Sequence, residues 1–278
     1  MVPRTNLEHA PASKACCSVG LLAAAQLQDE LYMPLLSADE RARYLSLPGR
    51  SRKGAWLAGR LAAKHIFLNR LEMSEESPGQ LWRPTLAVLA AEALATYSPW
   101  MYRQVEVLSN NGRPRLAWCG RERPENISLS HAGGVSSASI ASGAPTAIDI
   151  ETAVERVGAF YRNNFTEAER AWAHSGAGGE SRRSNWYFTL LWTLKESVLK
   201  LGWLKRAGLW GIPRIEIDGL PGFEYIEPFW CNSSIGSDFL VFTARVREAC
   251  RVMQVQVAVS GTRNLVLTVM NPRSGVSK

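Results

Sequence analysis

Residues 186–203 read WYFTLLWTLKESVLKLGW, and the spacing of their apolar residues predicts an amphipathic helix. At roughly 100° per residue, one face of this helix collects apolar side chains from Tyr187, Leu190, Leu191, Leu194, Val198 and Leu201. The opposite face collects an indole, two ammonium groups and a carboxylate, from Trp192, Lys195, Glu196 and Lys200. Such a face is either an ordinary solvated surface, where a Glu–Lys pair adds about 0.3 kcal/mol, or part of a site.

A pair of acids precedes this helix in the segment AIDIE (147–151), which reads as a strand. Side chains alternate along a strand, so Asp149 and Glu151 point to one side and repel each other unless a cation lies between them. Mg²⁺ would serve, and Glu196 could be a third ligand if the helix crosses that face. The alternative is an exposed strand edge with two solvated acids.

The segment SLSHAGG (128–134) predicts a strand that ends in a glycine turn. Ser130, His131 and the free N–H groups of the turn could bind an anion. His131 could equally be a structural hydrogen-bonding residue. A Ser-His-Asp hydrolase is not indicated, because the chain has no GxSxG motif, and no P-loop sequence is present either.

Composition describes a globular chain of 278 residues that is 46% hydrophobic, with a net charge of 32 − 25 = +7. That charge suits phosphate, nucleic acid or an acidic protein, or it reflects an inert basic surface. Five cysteines without a CxxC pair argue against a disulfide framework or a structural zinc site, and favour a reducing cytoplasm. No apolar run approaches the ~20 residues of a membrane span; a weak secretory signal at residues 15–25 is the alternative reading of the N-terminal region.

The order of elements predicts an α+β fold. We expect a disordered head over residues 1–14, a strand over 18–27, a long helix over 51–71, a hairpin over 105–118 and strands at 126–142 and 145–151. Capping boxes at Ser37–Glu40 and Thr166–Glu169 predict two helix starts, the second inside a helical stretch 153–175. Loops are expected at 72–83 and 176–184, and four strands after residue 212. The two halves, 15–142 and 143–278, have a similar order of helices and strands.

The helix over 51–71 concentrates cations at Arg52, Lys53, Arg60 and Lys64. Arg60 and Lys64 are four residues apart and so share a face. This could be a solvated basic face or a phosphate-binding one.

Taken together and in order, NNGRP, SLSHAGG, IDIE and WTLKESVLK resemble the 4′-phosphopantetheinyl transferases of the larger, Sfp-like type. The combination of DxE with WxxKExxxK is specific to that family. The resemblance implies two similar α+β lobes related by a pseudo-two-fold axis, with coenzyme A in the cleft between them. It also implies a monomer.

The resemblance further implies the roles of individual residues. Mg²⁺ would be held by Asp149, Glu151 and Glu196. Coenzyme A would be held by Arg52, Lys53, Arg60, Gly112, Arg113, Pro114, Ser130, His131 and Lys200. Lys53 stands where a second arginine is common in the family, and lysine lacks the planar fork of arginine.

The implied reaction transfers phosphopantetheine from coenzyme A to a serine of an apo carrier protein of fatty acid, polyketide or nonribosomal peptide synthesis. Glu196, directly or through a metal-bound water, or Lys195 would accept the serine proton. Lys200 and His131 would act on the phosphates. Phe160, Tyr161 and Phe165 are docking candidates, or simply packing residues. The alternatives are a nucleic-acid-binding protein, another Mg²⁺-dependent phosphotransfer or nucleotide-hydrolysing enzyme, and a coenzyme A binder without turnover.

Overall fold

The computed structural model describes residues 17–72, 84–202, 212–213, 215–231, 239–248, 251–262 and 264–272. The helices are α1 (Asp29–Tyr32), α2 (Ala38–Ser46), α3 (Arg50–Glu72), α4 (Pro99–Gln104), α5 (Gly158–Asn164), α6 (Glu167–Ala177), α7 (Ser181–Lys200) and α8 (Phe223–Cys231). Short 3₁₀ helices cover Ala24–Gln26, Met33–Leu35 and Ala91–Thr96.

The strands are β1 (Cys17–Ala23), β2 (Thr85–Leu89), β3 (Val105–Asn110), β4 (Arg113–Trp118), β5 (Arg121–Glu122), β6 (Asn126–Ala132), β7 (Val135–Ala141), β8 (Ala147–Thr152), β9 (Glu216–Asp218), β10 (Leu240–Glu248), β11 (Arg251–Thr262) and β12 (Leu265–Pro272). Among the described residues they form three sheets, in the orders β2-β1-β7-β6, β3-β4-β5 and β8-β12-β11-β10-β9. The β1–β2 pair is parallel and the other pairs are antiparallel. The predicted mixed α+β class is confirmed.

The alternation of side chains along the strands builds a layered core. In β1, Leu22 packs in the core that α3 shares with the first and second sheets, whereas Val19 and Leu21 face the third sheet. In β8, Ile148 and Ile150 pack against those β1 residues. Helix α7 covers the far face of the third sheet with a separate apolar core. The first and third sheets therefore lie face to face, with α3 outside one and α7 outside the other.

Both predicted capping boxes are present. Ser37 caps α2 and Thr166 caps α6, and in each case the glutamate at the third helical position bonds back to the backbone of the capping residue. These local signals place the helix starts because each satisfies two backbone N–H groups that the helix leaves unpaired.

Both predicted hairpins are also present. The β3–β4 turn has Asn111 and Gly112 at φ angles of 50° and 77°, and the β6–β7 turn has Gly133 and Gly134 at 56° and 77°. Positive φ at both central residues is the type I′ geometry that matches strand twist. Register therefore pairs Leu108 with Arg115 in the first hairpin.

Several predicted boundaries differ from the structure. Residues 153–157 are not helical, and α5 begins at Gly158. Residues 181–184, expected in a loop, form the first turn of α7. The first strand ends at Ala23. Helix α8 was not predicted, because an interior proline, Pro228, argues against a helix.

The expected disordered head lies outside the described residues, as do residues 73–83 of the expected loop. None of the described helices combines the length and apolar character that a membrane span needs.

Candidate functional site

Three predicted site residues from three elements meet at one carboxylate. Asp149 of β8 is 3% exposed. Its Oδ1 accepts hydrogen bonds from Lys200 Nζ of α7 at 2.7 Å and from Ser130 Oγ of β6 at 2.8 Å. Lys200 Nζ also donates to the Ile148 carbonyl at 3.0 Å. Helix α7 therefore crosses β8, which was the condition for Glu196 to join the two acids of that strand.

The edge strands of the first and third sheets bring Ser130 to this carboxylate. Ile127 and Leu129 of β6 face the core under α3, so the alternating serines face β8. Ser128 Oγ accepts the Ile148 N–H at 3.1 Å. Ser128 and Ser130 thus form hydrogen bonds that link β6 of the first sheet to β8 of the third.

Two further carboxylates, Glu151 and Glu196, surround this point and are half-buried. Burial raises the pKa of both side chains above the usual value, and the negative charge of Asp149 raises both pKa values further. Lys200 opposes this increase in both cases. The three acids therefore repel one another, and a bound cation would relieve this repulsion.

The carboxylate oxygens of Asp149, Glu151 and Glu196 are ligands that a hard divalent cation prefers. Asp149 Oδ2 is buried and has no hydrogen-bond partner in the described structure. An orphaned carboxylate oxygen among acids suits Mg²⁺, which binds through a few carboxylates and keeps waters and phosphate oxygens. Within the described ranges, no three such side chains already converge as a finished metal site.

His131 lies on the opposite face of β6 from Ser130 and is exposed. It pairs with Ser136 of β7, whose Oγ donates to the Ala55 carbonyl of α3 at 2.8 Å. Arg52 and Lys53 lie three and two residues before Ala55. The first turn of α3 is therefore at the same end of the first sheet as His131.

Arg113 approaches the end of α7. Gly202, two residues beyond Lys200, has a φ of 74°, and a Cβ there would lie 2.5 Å from an Arg113 guanidinium nitrogen. Arg113 opens β4 after Gly112, and Pro114 follows it opposite Ser109. The β3–β4 turn of the second sheet therefore lies beside the C-terminal end of α7, the helix that carries Glu196 and Lys200.

The placement of Lys195 on the polar face of α7 is wrong. Lys195 is 0% exposed, and its Nζ forms an ion pair with Glu169 of α6 at 2.7 Å. The same Nζ donates to the Asn164 carbonyl at 2.7 Å. Because α6 supplies a buried partner, a charged residue of α7 faces the interior.

The basic stretch of α3 is not a uniform solvated face. Lys64 is buried and paired with Glu40 of α2. The Arg60 guanidinium lies 3.9 Å from the Trp56 ring centroid, and burial lowers the pKa of Arg60 to about 10. Lys53 Nζ lies 5.5 Å from the Tyr44 ring centroid. Lys53 and Arg60 thus contact aromatic rings of α2 and α3.

Arg156 was missed. Its guanidinium lies 3.5 Å from Glu151 Oε2, and 4.8 Å from the Phe160 ring centroid. An arginine five residues after a pair of repelling acids could have been recognised as their countercharge.

The geometry agrees with a comparison to known families. Residues 145–222 match the model of the 4′-phosphopantetheinyl transferase superfamily. The matched range runs from just before β8 to beyond α7 and contains Asp149, Glu151, Glu196 and Lys200. The superfamily suggested by the motifs is therefore confirmed for this part of the chain. No curated protein sequence gives a significant match to the chain.

Proposed function

We propose that this protein transfers the 4′-phosphopantetheine arm of coenzyme A to a serine of an apo carrier protein and releases adenosine 3′,5′-bisphosphate. The observation that carries this proposal is the meeting of Lys200 and Ser130 on Asp149, with Glu151 and Glu196 close enough to repel it. That arrangement lies within the range matched by the superfamily.

Asp149, Glu151 and Glu196 would hold Mg²⁺. The ion would neutralise the pyrophosphate of coenzyme A and the charge that develops on it during transfer. The unpartnered Asp149 Oδ2 and the raised pKa values of the two glutamates support this assignment.

Coenzyme A would lie across the junction of the first and third sheets. Lys200 reaches its pyrophosphate, and Ser130 and His131, on opposite faces of β6, hold different phosphate groups. Arg113, between Gly112 and Pro114, lies near the adenine, and Arg52, Lys53 and Arg60 of α3 grip the 3′-phosphate, with Arg52 exposed and the other two half-buried. The shared position of His131 and the first turn of α3 supports this orientation.

In the reaction, the carrier serine oxygen attacks the phosphorus that bears the pantetheine arm. A new P–O bond forms, and the bond from that phosphorus to the adenosine bisphosphate breaks. Glu196 accepts the serine proton, directly or through a water molecule. The Lys200 ammonium stabilises the negative charge on the departing phosphate.

The chain would consist of two similar lobes, residues 15–142 and 143–278, with coenzyme A between them. An acidic carrier would dock beside the acids, where Val157 is 75% exposed and Val154 is also exposed. Phe165 is buried, and Phe160 and Tyr161 pack against α7, so these three rings act chiefly in packing. The net charge of +7 favours an acidic partner.

Product analysis by liquid chromatography tests the proposal. Adenosine 3′,5′-bisphosphate should form only when this protein, coenzyme A, Mg²⁺ and an apo carrier are all present, and a chelator should abolish it. Product formation without a carrier would instead indicate a nucleotide hydrolase. Absence of product with acyl, aryl and peptidyl carriers would contradict the proposal.

A further inference from the structure

The long helices α3 and α7 each bury one lysine completely. Lys64 and Lys195 are both 0% exposed. Burial lowers the pKa of each, and each is held beside a glutamate that opposes this. A buried ammonium is stable only when its charge and its donors are satisfied, so the partners of these lysines are structurally important.

The first ion pair joins three elements. Lys64 Nζ lies 2.5 Å from Glu40 Oε2, the carboxylate of the α2 capping box. Glu40 Oε1 accepts the Val107 N–H of β3 at 3.0 Å. Lys64 also donates to the Leu35 carbonyl, two residues before the cap Ser37, at 3.1 Å. We call this set the first latch.

The second ion pair repeats this arrangement in the other half of the chain. Lys195 Nζ lies 2.7 Å from Glu169 Oε2, the carboxylate of the α6 capping box. Glu169 Oε1 accepts the Ile217 N–H of β9 at 2.9 Å. Lys195 donates to the Asn164 carbonyl, two residues before the cap Thr166. We call this set the second latch.

The residues that follow the two lysines differ. His65 follows Lys64; it is buried, and its Nδ1 hydrogen-bonds with the hydroxyl of Tyr102. Asn69 lies five residues after Lys64. After Lys195 come Glu196 and, five residues on, Lys200. Only the second latch therefore lies on a helix turn that carries an acid and a cation of the candidate site.

The site exerts opposing forces on α7: Lys200 binds Asp149 and the Ile148 carbonyl of β8, whereas Glu196 is repelled by the acids of that strand. Glu196 faces Asp149 and Glu151, so like charges oppose its approach until a cation is bound. Side chains on a helix are about 100° apart per residue. A small rotation of α7 would therefore move Glu196 and Lys200 away from Asp149, unless a contact on another side of the helix prevents it.

We propose that Lys195 is a positioning residue, which with Glu169 fixes the rotation of α7 and so places Glu196 and Lys200 against Asp149. This inference rests on the proposed function. It replaces the role of proton acceptor considered for Lys195, because its Nζ is enclosed by Glu169 and the Asn164 carbonyl.

Matched double variants test this role. Lys195→Met with Glu169→Gln removes the charges of the second latch, and Lys64→Met with Glu40→Gln removes those of the first. Both should lower the melting temperature, because each removes a buried ion pair, and Lys64→Met also removes a hydrogen bond to the Tyr102 carbonyl. Should the first of these not fold, Glu169→Asp with the control Glu40→Asp keeps every charge and shortens the same contact by one methylene.

The first measurement is calorimetric titration with Mg²⁺ at saturating coenzyme A. We expect the second-latch variant to bind Mg²⁺ about 10-fold or more weakly, as is typical when a group that orients metal ligands is lost. The first-latch variant should match the wild type. Equal Mg²⁺ affinity in all three folded proteins, or an equal loss in both variants, would overturn the proposal.

The kinetic measurement separates positioning from catalysis. A positioning role raises the Mg²⁺ concentration needed for half-maximal transfer, while most of kcat returns at saturation. A low kcat at saturation with an unchanged Mg²⁺ requirement would restore Lys195 as the base. If the wild type itself binds no Mg²⁺, the proposed function is wrong. Crystal structures of the wild type and the second-latch variant then decide, and an unmoved Glu196 would refute positioning.

Discussion

At the scale of single residues, the candidate site is defined by where charges are left unbalanced. Asp149 has one oxygen bound by Lys200 and Ser130 and one buried oxygen without a partner in the described structure. Each of these residues was named from the sequence, because strand alternation and helix spacing fix the side to which a side chain points.

Replacing an acid of the site should abolish transfer without unfolding the protein. Asp149→Ala or Glu196→Ala should lower carrier modification at least about 100-fold. Losing a residue that only hydrogen-bonds to a metal ligand already costs up to about 100-fold, and these two acids are proposed to bind the metal themselves. Glu167→Ala, which removes the same charge from an exposed position on α6, is the control. Steady-state rates and melting curves check this, and near-normal rates in both site variants would disprove the metal assignment.

Lys200 should contribute to coenzyme A binding. A charge-assisted hydrogen bond is worth about 1.5–3 kcal/mol, so Lys200→Ala should weaken binding by ~10- to 100-fold. Arg247→Ala loses the same charge from β10, where Arg247 pairs with Asp218, and should bind normally. Calorimetric titration with coenzyme A measures both. Unchanged affinity in Lys200→Ala would show that this lysine does not face the pyrophosphate.

At the scale of helices and strands, the structure confirms the predictions that depended on neighbouring residues and contradicts the placement of Lys195, which depends on a distant partner. The capping boxes and Asn-Gly turn satisfy groups within a few residues, so the sequence contains all their partners. The burial of Lys195 depends on Glu169, 26 residues earlier in the chain, and its spacing on α7 could not reveal that. Helix α8 was missed: Pro228 is unfavourable inside a helix, but Ile226, Phe223 and Phe229 of this helix pack in the core beneath α7.

The repulsion between α7 and β8 should appear in the pH dependence of stability. The folded state raises the pKa of Glu196 and Glu151, so their contribution to stability is complete below the unfolded pKa and is lost as pH rises through the raised value. Without metal, Glu196→Gln should therefore become increasingly more stable than the wild type as pH rises above about 4, the ordinary pKa of a glutamate. Thermal unfolding in chelator measures this, and a difference independent of pH would contradict it.

The contact between the β3–β4 hairpin and the end of α7 can be tested with two glycines. Gly202→Ala and Gly120→Ala each place an alanine at a φ near 74°, at a cost of about 1–2 kcal/mol. Only the methyl group at residue 202 would meet Arg113, since open space surrounds residue 120. Both should lower the melting temperature, and only Gly202→Ala should weaken coenzyme A binding. Equal binding by both variants would argue against a role for Arg113.

At the scale of the whole molecule, the two halves of the chain each contain one latch, but only the second half carries the three acids of the candidate site. The order of elements predicted the α+β class, whereas the crossing of α7 over β8 was a condition for Glu196 to join the two acids and does not follow from spacing. The face-to-face packing of the first and third sheets depends on residues far apart in the chain, such as Val19 and Leu267. Such a contact has no local signature.

The most direct test of the central claim is the intact mass of an apo carrier protein after incubation with this protein, coenzyme A and Mg²⁺, with Asp149→Ala run beside the wild type. We predict that the wild type adds one phosphopantetheine arm to the carrier, that a chelator prevents this, and that folded Asp149→Ala adds none. A carrier mass unchanged by the wild type across acyl, aryl and peptidyl carriers, or an equal gain with Asp149→Ala, would contradict the account.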